Sequence, residues 1–440
     1  MTIVQPSYFP VVYRLALGQK SNSFCPSACR PPASFVVTTT HVRPNLITTE
    51  RTIAIVGAGL LGCLSAIALA RRGRRVVLFE RDGDILGRAS RFNEGKVHLG
   101  FTYGLDRTGE TAARMFAYGI RFKEELARLL DRPVEEFFLH QRCVYAVAGD
   151  SALTLEDAVT HLDALDALHA AHLAAGGAPA TTSGPFIRRL TGAELAARFS
   201  DTVTAAFDVA EPMLDCDRLC DGVAAAVRAA SGIEIVAGCA VHAIEATPEI
   251  VDADGNRHGP FDRVINAAWD GMPAIEHRSG RPADGHSLRG KTGFVTEVLR
   301  GMPEAPVTFC WGMYGDLVPQ TRNQAYVSWY PSCRMGFTTS VSAGSGWFDA
   351  LAESFDFNRA YQDCRAAFSR LLPNLELSEE PAARRAGAIL AHARTDLQDP
   401  GSGLHRRTDF GIHAYDRVLM VNTGKLSCAP GLATRLAEIA

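Results

Sequence analysis

At 440 residues the chain is long for a single core, and two domains are the natural expectation. Hydrophobic residues make up 47% and charged residues 21%, the composition of an ordinary globular protein. A formal net charge of −3, with no block of Lys and Arg among aromatics, gives no electrostatic case for nucleic acid or an anionic membrane.

The first 49 residues contain no Asp or Glu, four Lys or Arg, and many Ser, Thr and Pro. Pro6 and Pro10 interrupt the only apolar stretch, so a secretory signal does not fit. The segment reads as an organellar transit peptide, a disordered extension or the product of an upstream start codon. We expect no fold over 1–50 and a cytoplasmic protein. The run Thr52 to Ala70 is uncharged, flanked by Arg51 and Arg71, and about the length of a membrane span. Short side chains and three glycines interrupt it, so a buried strand, turn and helix fit better and no integral membrane segment is expected. The eleven cysteines are scattered without a CxxC pair or a His-rich partner cluster. Reduced thiols and no metal site are the expectation.

Order begins near Arg51. Thr52–Val56 reads as a strand, Leu60–Arg72 as a helix stopped by Gly73, and Arg75–Glu80 as a second strand. A helix is expected over Thr111–Leu130 and a strand over Phe137–Val147. An Ala-rich helix follows at Leu155–Ala175, with His161, His169 and His172 on a solvated face. Further expectations are a helix over Leu219–Ala230, strands at Ile233–Val236 and Ala240–Ala246, and a hairpin turn at Asp254-Gly255. Arg263–Ala267 is a buried strand. Residues 290–340 alternate like strands, Phe348–Arg370 is helical, and Val418–Val421 leads through a Gly424 turn into a last helix. Nucleotide-binding elements thus open, punctuate and close the chain. The expected fold class is α/β, a Rossmann-like domain (51–135, 205–288 and 400–440) interleaved with an antiparallel-sheet α+β substrate domain (136–204 and 289–399).

Gly57-Ala58-Gly59-Leu60-Leu61-Gly62 follows a strand and opens a helix. The first glycine makes the tight turn, the second admits a pyrophosphate, and the third lets helix and strand pack closely. Phosphates would face the positive end of the helix. Glu80, ending the next strand, can accept both hydroxyls of an adenosine ribose and disfavours a 2′-phosphate. Gly285-His286-Ser287-Leu288-Arg289-Gly290-Lys291-Thr292 matches a P-loop letter for letter. It lacks a strand before it and a helix after it, so nucleotide hydrolysis is not expected.

Asn93-Glu94-Gly95-Lys96-Val97-His98-Leu99-Gly100-Phe101-Thr102-Tyr103, with the glycine motif, resembles the D-amino-acid oxidase superfamily of flavoenzymes. Its Asn-x-Gly-x-x-His-x-Gly-x-x-Tyr order is most similar to the 2-hydroxyglutarate dehydrogenase branch. Three further stretches resemble that superfamily: Glu211-Pro212-Met213-Leu214-Asp215, Val264-Ile265-Asn266-Ala267-Ala268-Trp269, and Asn422-Thr423-Gly424-Lys425-Leu426. The resemblance spans residues 51–440 and implies FAD as cofactor. It places Arg88, Ala89 and Ser90 near the phosphates, Ala267 and Trp269 by the diphosphate, and Gly424, Lys425 and Leu426 at the flavin. Arg81 and Val241 complete the expected cofactor set. Amino-acid oxidases of this group carry an arginine after a glycine where this chain reads Arg385-Ala386-Gly387-Ala388-Ile389. That departure speaks against simple amino-acid oxidation.

The expected chemistry is removal of hydride from a C–H beside an amine or hydroxyl of a small molecule. Oxygen or another acceptor would then take the electrons. His98 reads as the base, a structural histidine or a covalent flavin anchor. Lys425 reads as a cation for the reduced flavin or a surface lysine. Tyr103, Tyr314 and Tyr330 are expected to wall the substrate. Arg407, in the trio His405-Arg406-Arg407, either holds a substrate carboxylate or belongs to a surface charge run. Two rivals are an NAD(P)H-dependent flavin monooxygenase and a non-catalytic FAD-binding protein.

Overall fold

In the computed structural model, residues 2–4, 52–312, 315–340, 344–399 and 401–440 are described. The strands Thr52–Val56 and Arg75–Phe79 lie parallel, joined by the helix Leu60–Ala70. Every residue of that helix but Ala70 is buried, because it packs between the helices Cys216–Ala229 and Ala429–Ile439. An uncharged helix suits a site enclosed on all sides, which explains the span-like run without a membrane. Among the described residues no helix is long and apolar enough to cross one.

Strands distant in sequence complete this sheet. Its order runs Thr2–Val4, Gly411–Tyr415, Val418–Asn422, Arg263–Asn266, Thr52–Val56, Arg75–Phe79, Ile233–Val236. Thr2–Val4 pairs antiparallel with Gly411–Tyr415. A small three-stranded sheet (Val241–Ile244, Ile250–Asp252, Arg257–His258) carries the expected Asp254-Gly255 turn, with Gly255 at φ 86°.

A ten-stranded sheet forms the other layer. Its longest strand, His286–Arg300, pairs in register with Ala383–His392. All of the P-loop look-alike but Gly285 therefore lies inside a strand, as its flanks indicated. Cys143–Ala148 and Val203–Val209 join the same sheet, held partly by Arg142, whose Nε donates to Asp208 at 2.8 Å.

Four expectations change. The 111–130 helix is two helices, Glu110–Gly119 and Phe122–Leu130. A Cβ on Gly119 would lie 2.2 Å from the His98 carbonyl oxygen, so the break brings this backbone against the His98 segment. The 137–147 strand is likewise divided, into Phe138–His140 and Cys143–Ala148. The 348–370 helix splits at Asp356, whose side chain caps a new helix by accepting the Arg359 N–H at 2.9 Å. Of the three histidines of Leu155–Ala174, only half-buried His172 retains contact with solvent. His161 is buried with Nε2 3.1 Å from the Phe101 carbonyl, and buried His169 stacks on Phe186 at 4.1 Å. Nine cysteines are described as free, and eight of them are buried.

Candidate active site

Two joined clefts lie where the sheets meet. The first, of about 380 Å³, runs over the end of the Rossmann-like sheet. Gly57 turns there with φ 97°, and a Cβ would lie 2.7 Å from Ala268 Cα and 2.8 Å from the Ala267 carbonyl. Gly62 stands behind the turn, where a Cβ would meet the Gly57 carbonyl at 1.9 Å. Gly59 is different, with only Ser90 Oγ near, at 3.3 Å. The turn is thus built for glycine at two positions by the protein's own packing, while Gly59 opens on the cleft.

Gly57, Ala58, Gly59, Leu60, Leu61, Glu80, Arg81, Arg88, Ala89, Ser90, Val241, Ala267, Trp269, Lys425 and Leu426 all line this first cleft. Glu80 accepts the N–H of Ala58 at 2.8 Å and of Asp82 at 3.0 Å. These bonds fix a carboxylate that still has acceptor capacity for hydroxyls. Ser90 Oγ accepts the Leu60 N–H at 2.9 Å, tying the 88–90 loop to the helix start. Arg88 is matched by Asp82 at 2.5 Å and Asp349 at 2.9 Å, and Arg81 by Asp270 at 3.0 Å. Neither arginine brings an unmatched charge to the cleft.

The second cleft, of about 280 Å³, shares Ala89, Trp269, Lys425 and Leu426 with the first. Trp269 has φ 49°, and its indole N–H donates to the Ala388 carbonyl at 2.8 Å, fixing the ring at the junction. Gly424, His98, Tyr103, Tyr330 and Arg407 line this cleft, as do Gly387, Ala388 and Ile389. Tyr314 lies outside the described residues. Arg385 turns away to Asp217 at 2.5 Å.

Sequence reasoning missed several polar groups here. Arg289 and Lys291, dismissed with the P-loop look-alike, both line the second cleft. They are two apart on one strand and so share a face, a period-2 signal visible in the sequence. Arg289 pairs in register with Ile389. A guanidinium thus stands on the strand beside the one where none follows Gly387. Lys96 reaches Asp316 at 2.8 Å and Thr308 at 2.7 Å, while Lys291 lies 3.7 Å from Glu94. These cations are neutralised locally. Although burial opposes it, Lys291 leads the cations that hold the Glu94 carboxyl below its usual range.

On the opposite wall Arg407 differs from these cations. Arg407 is buried with Nη1 3.2 Å from the Gly424 carbonyl, and no carboxylate pairs with it among the described residues. Arg289 is bonded to the Tyr330 hydroxyl at 2.6 Å and lies 3.7 Å from Asp396, which Arg334 also engages at 2.7 Å. The surface reading of Arg407 is thereby corrected; Arg406 is the exposed one, 3.5 Å from Asp106.

Lys425 is half-buried in the shared wall, not on the outer surface. Burial, then the charge of Arg407, pulls its ammonium down from 10.5 to about 7. Below about 7 the folded chain bears the full cost of that ammonium. Between about 7 and 10.5 it binds fewer protons than the unfolded chain, so the cost fades as pH rises. Lys425→Met is expected to raise the melting temperature of cofactor-free protein most at pH 6, the gain vanishing toward pH 10.5. Thermal unfolding across pH checks this, and a pH-independent gain contradicts it. His98 is buried, and burial, then Lys425 and Lys96, lowers its pKa well below 6.5. The ring is therefore neutral at pH 7 and has a lone pair to offer.

Among the described residues, one group of metal-ligand types comes together, Cys239, Asp252 and His258. Asp252 accepts from His258 Nε2 at 3.0 Å and from the Asn256 amides, which braces the hairpin.

A family model described as DAO, FAD dependent oxidoreductase, matches residues 52–439. Glycine oxidase from Geobacillus kaustophilus superposes with a TM-score of 0.60 at 15% identity, covering 88% of this chain and 95% of that one. L-Amino acid deaminase from Proteus myxofaciens gives 0.61 at 16% identity, covering 93% of each chain. L-α-Glycerophosphate oxidase from Mycoplasma pneumoniae, with FAD bound, gives 0.60 at 14%, covering 88% and 94%. Among curated proteins, the tRNA 5-methylaminomethyl-2-thiouridine biosynthesis bifunctional protein MnmC of Ectopseudomonas mendocina is 36% identical over 90 residues. That match covers 20% of this chain and 13% of the relative. The counterpart from Pseudomonas fluorescens is 32% identical over 106 residues, 24% of this chain and 16% of the relative. The chain thus spans a small part of the curated relatives it matches, and the 2-hydroxyglutarate dehydrogenase branch is not singled out. With glycines, acid and clefts placed as a dinucleotide and a redox ring require, this chain belongs to the DAO family of FAD-dependent oxidoreductases.

Proposed function

We propose that the enzyme oxidises a small carboxylate-bearing amine or hydroxy acid, in the second cleft, at the C–H beside the nitrogen or hydroxyl. The observation that carries this is the buried Arg407, paired only with carbonyls, on the same cleft as neutral His98. A buried guanidinium without a carboxylate partner is costly unless the ligand supplies one. Arg289 and Tyr330 stand beside it as further donors.

Gly57, Gly59, Gly62, Glu80, Arg81, Arg88, Ala89, Ser90, Val241 and Ala267 would hold the adenosine diphosphate half of FAD. Trp269, Gly424, Lys425 and Leu426 would frame the flavin ring at the junction of the clefts. When bound, FAD supplies the hydride acceptor. His98 takes the proton from the substrate nitrogen or oxygen as the C–H bond breaks. Arg407 and Arg289 orient the carboxylate, and Tyr103 and Tyr330 exclude water around it. Lys425 places positive charge where reduction concentrates negative charge. Electrons then pass to oxygen or another acceptor. A monooxygenase reading gains no support from the second cleft, whose cations suit an anionic substrate.

A non-oxidisable carboxylate tests the anchor without knowledge of the substrate. Pivalate is expected to perturb the flavin absorbance of the wild-type holoenzyme. Arg407→Leu should weaken its binding about 30-fold or more, the effect of removing one partner of a buried charge pair. Equal pivalate affinity in both proteins contradicts the anchor.

A further inference from the structure

Behind His98 lies a carboxylate that no part of the proposed reaction uses. Glu211 is fully buried, at 0% exposure. Its Oε1 accepts the Leu99 N–H at 2.8 Å, and its Oε2 accepts the Tyr145 hydroxyl. Oε1 also lies 4.0 Å from His98 Nδ1, and Nδ1 has no hydrogen-bond partner. A buried ring nitrogen without a partner is uncommon. A shift of about 1 Å closes this gap to an ordinary hydrogen bond.

We propose that Glu211 is the positioning residue of His98, accepting the Nδ1 proton so that Nε2 is left as the basic nitrogen facing the substrate cleft. The reasoning is that an imidazole has one proton to place when neutral, and the acceptor beside one nitrogen decides which nitrogen keeps it. Tyr145 and the Leu99 amide each donate to one oxygen and so hold the carboxylate beside the ring. Its catalytic meaning rests on the base role proposed for His98, but the tautomer itself does not.

The arrangement is poised near neutrality. Burial raises the Glu211 carboxyl to about 7, against the pull of Lys96, the Tyr145 hydroxyl and the Leu99 amide. The groups facing it are Lys96, His98 and Tyr103 from the 93–103 stretch, Cys143 and Tyr145 from the 143–148 strand, Cys310, and Asp316. Above about pH 7 the ionised carboxylate is the stronger acceptor for Nδ1–H, and below it the preference weakens.

Nitrogen-15 spectra of the histidine side chains in labelled holoenzyme test this, with the His98 signals identified by their loss in His98→Gln. In the wild type at pH 8, the His98 proton is expected on Nδ1. Glu211→Gln should shift the ratio of the two tautomers about tenfold toward Nε2–H, the effect of losing a charged hydrogen bond. A wild-type ring protonated on Nε2, or an unchanged ratio in Glu211→Gln, overturns the proposal. Should Glu211→Gln fail to retain FAD, Tyr145→Phe serves instead. Losing the hydroxyl donor raises the Glu211 pKa, so the tautomer shift should move to higher pH, and an unmoved midpoint overturns the proposal. Flavin reduction by His98→Gln reports separately on the base role, so each reading can fail alone.

Discussion

His98→Gln is expected to slow anaerobic flavin reduction by roughly 10²–10⁴-fold, the usual contribution of a positioned general base. The expectation follows from two features. The ring lines the second cleft, and burial with the neighbouring lysines keeps it neutral at pH 7. Glutamine preserves much of the volume and a hydrogen-bonding group, so packing against Tyr103 and Gly119 should survive. Stopped-flow absorbance at saturating substrate measures the step alone. Retention of flavin and an unchanged melting temperature would show that the fold is intact. Wild-type reduction kinetics in His98→Gln would return His98 to a structural role. A flavin that stays with the denatured wild-type protein but leaves the variant would instead identify a covalent anchor.

Gly57→Ala should have the second large effect, on cofactor retention. The backbone at Gly57 has φ 97°, and the new Cβ would lie 2.7 Å from Ala268 Cα and 2.8 Å from the Ala267 carbonyl. Both are backbone atoms of the segment that lines the first cleft, so neither can swing away. Left-handed geometry costs a further 1–2 kcal/mol, approximately, for a residue with a Cβ. We expect FAD affinity to fall by roughly 10²-fold or more, as when binding groups are displaced by about 1 Å. Gly59→Ala is the informative contrast, since its Cβ meets only Ser90 Oγ at 3.3 Å. It should leave the melting temperature of the cofactor-free protein unchanged yet still weaken FAD by crowding the cleft. Equilibrium dialysis and flavin fluorescence check both. Full retention of FAD by Gly57→Ala would contradict the role given to the turn.

What was legible in the sequence divides along physical lines. The 57–62 turn, Glu80 and the 93–103 stretch were readable because their jobs depend on local backbone geometry and short spacing. Gly62 illustrates this: its neighbour is the Gly57 carbonyl, five residues away. Arg289 and Lys291 were hidden by the opposite circumstance. Their pattern imitates a phosphate loop, and only pairing with the 383–392 strand shows which face enters the cleft. Glu211 stands in a stretch that resembles the superfamily, but its partners, Leu99 and Tyr145, are 112 and 66 residues away in the chain. Charge alone could not separate Arg406 from Arg407, since burial made the difference. His161 and His169 do not face solvent as expected, because a polar pattern on an Ala-rich helix looks solvated until Trp311 and Phe186 cover it. The helix break at Gly119 follows from its close approach to the His98 backbone, a tertiary demand overriding a continuous helical pattern.

We propose that a carboxylate-bearing amine or hydroxy acid is oxidised in the second cleft. The most direct measurement is an anaerobic titration of the holoenzyme with a panel of amino acids, N-substituted amino acids and 2-hydroxy acids, each beside its decarboxylated analogue. Loss of the oxidised flavin absorbance with at least one carboxylate-bearing compound, and far slower loss with its uncharged analogue, is the predicted result. Bleaching by the uncharged amines or alcohols at equal or greater rates would contradict it.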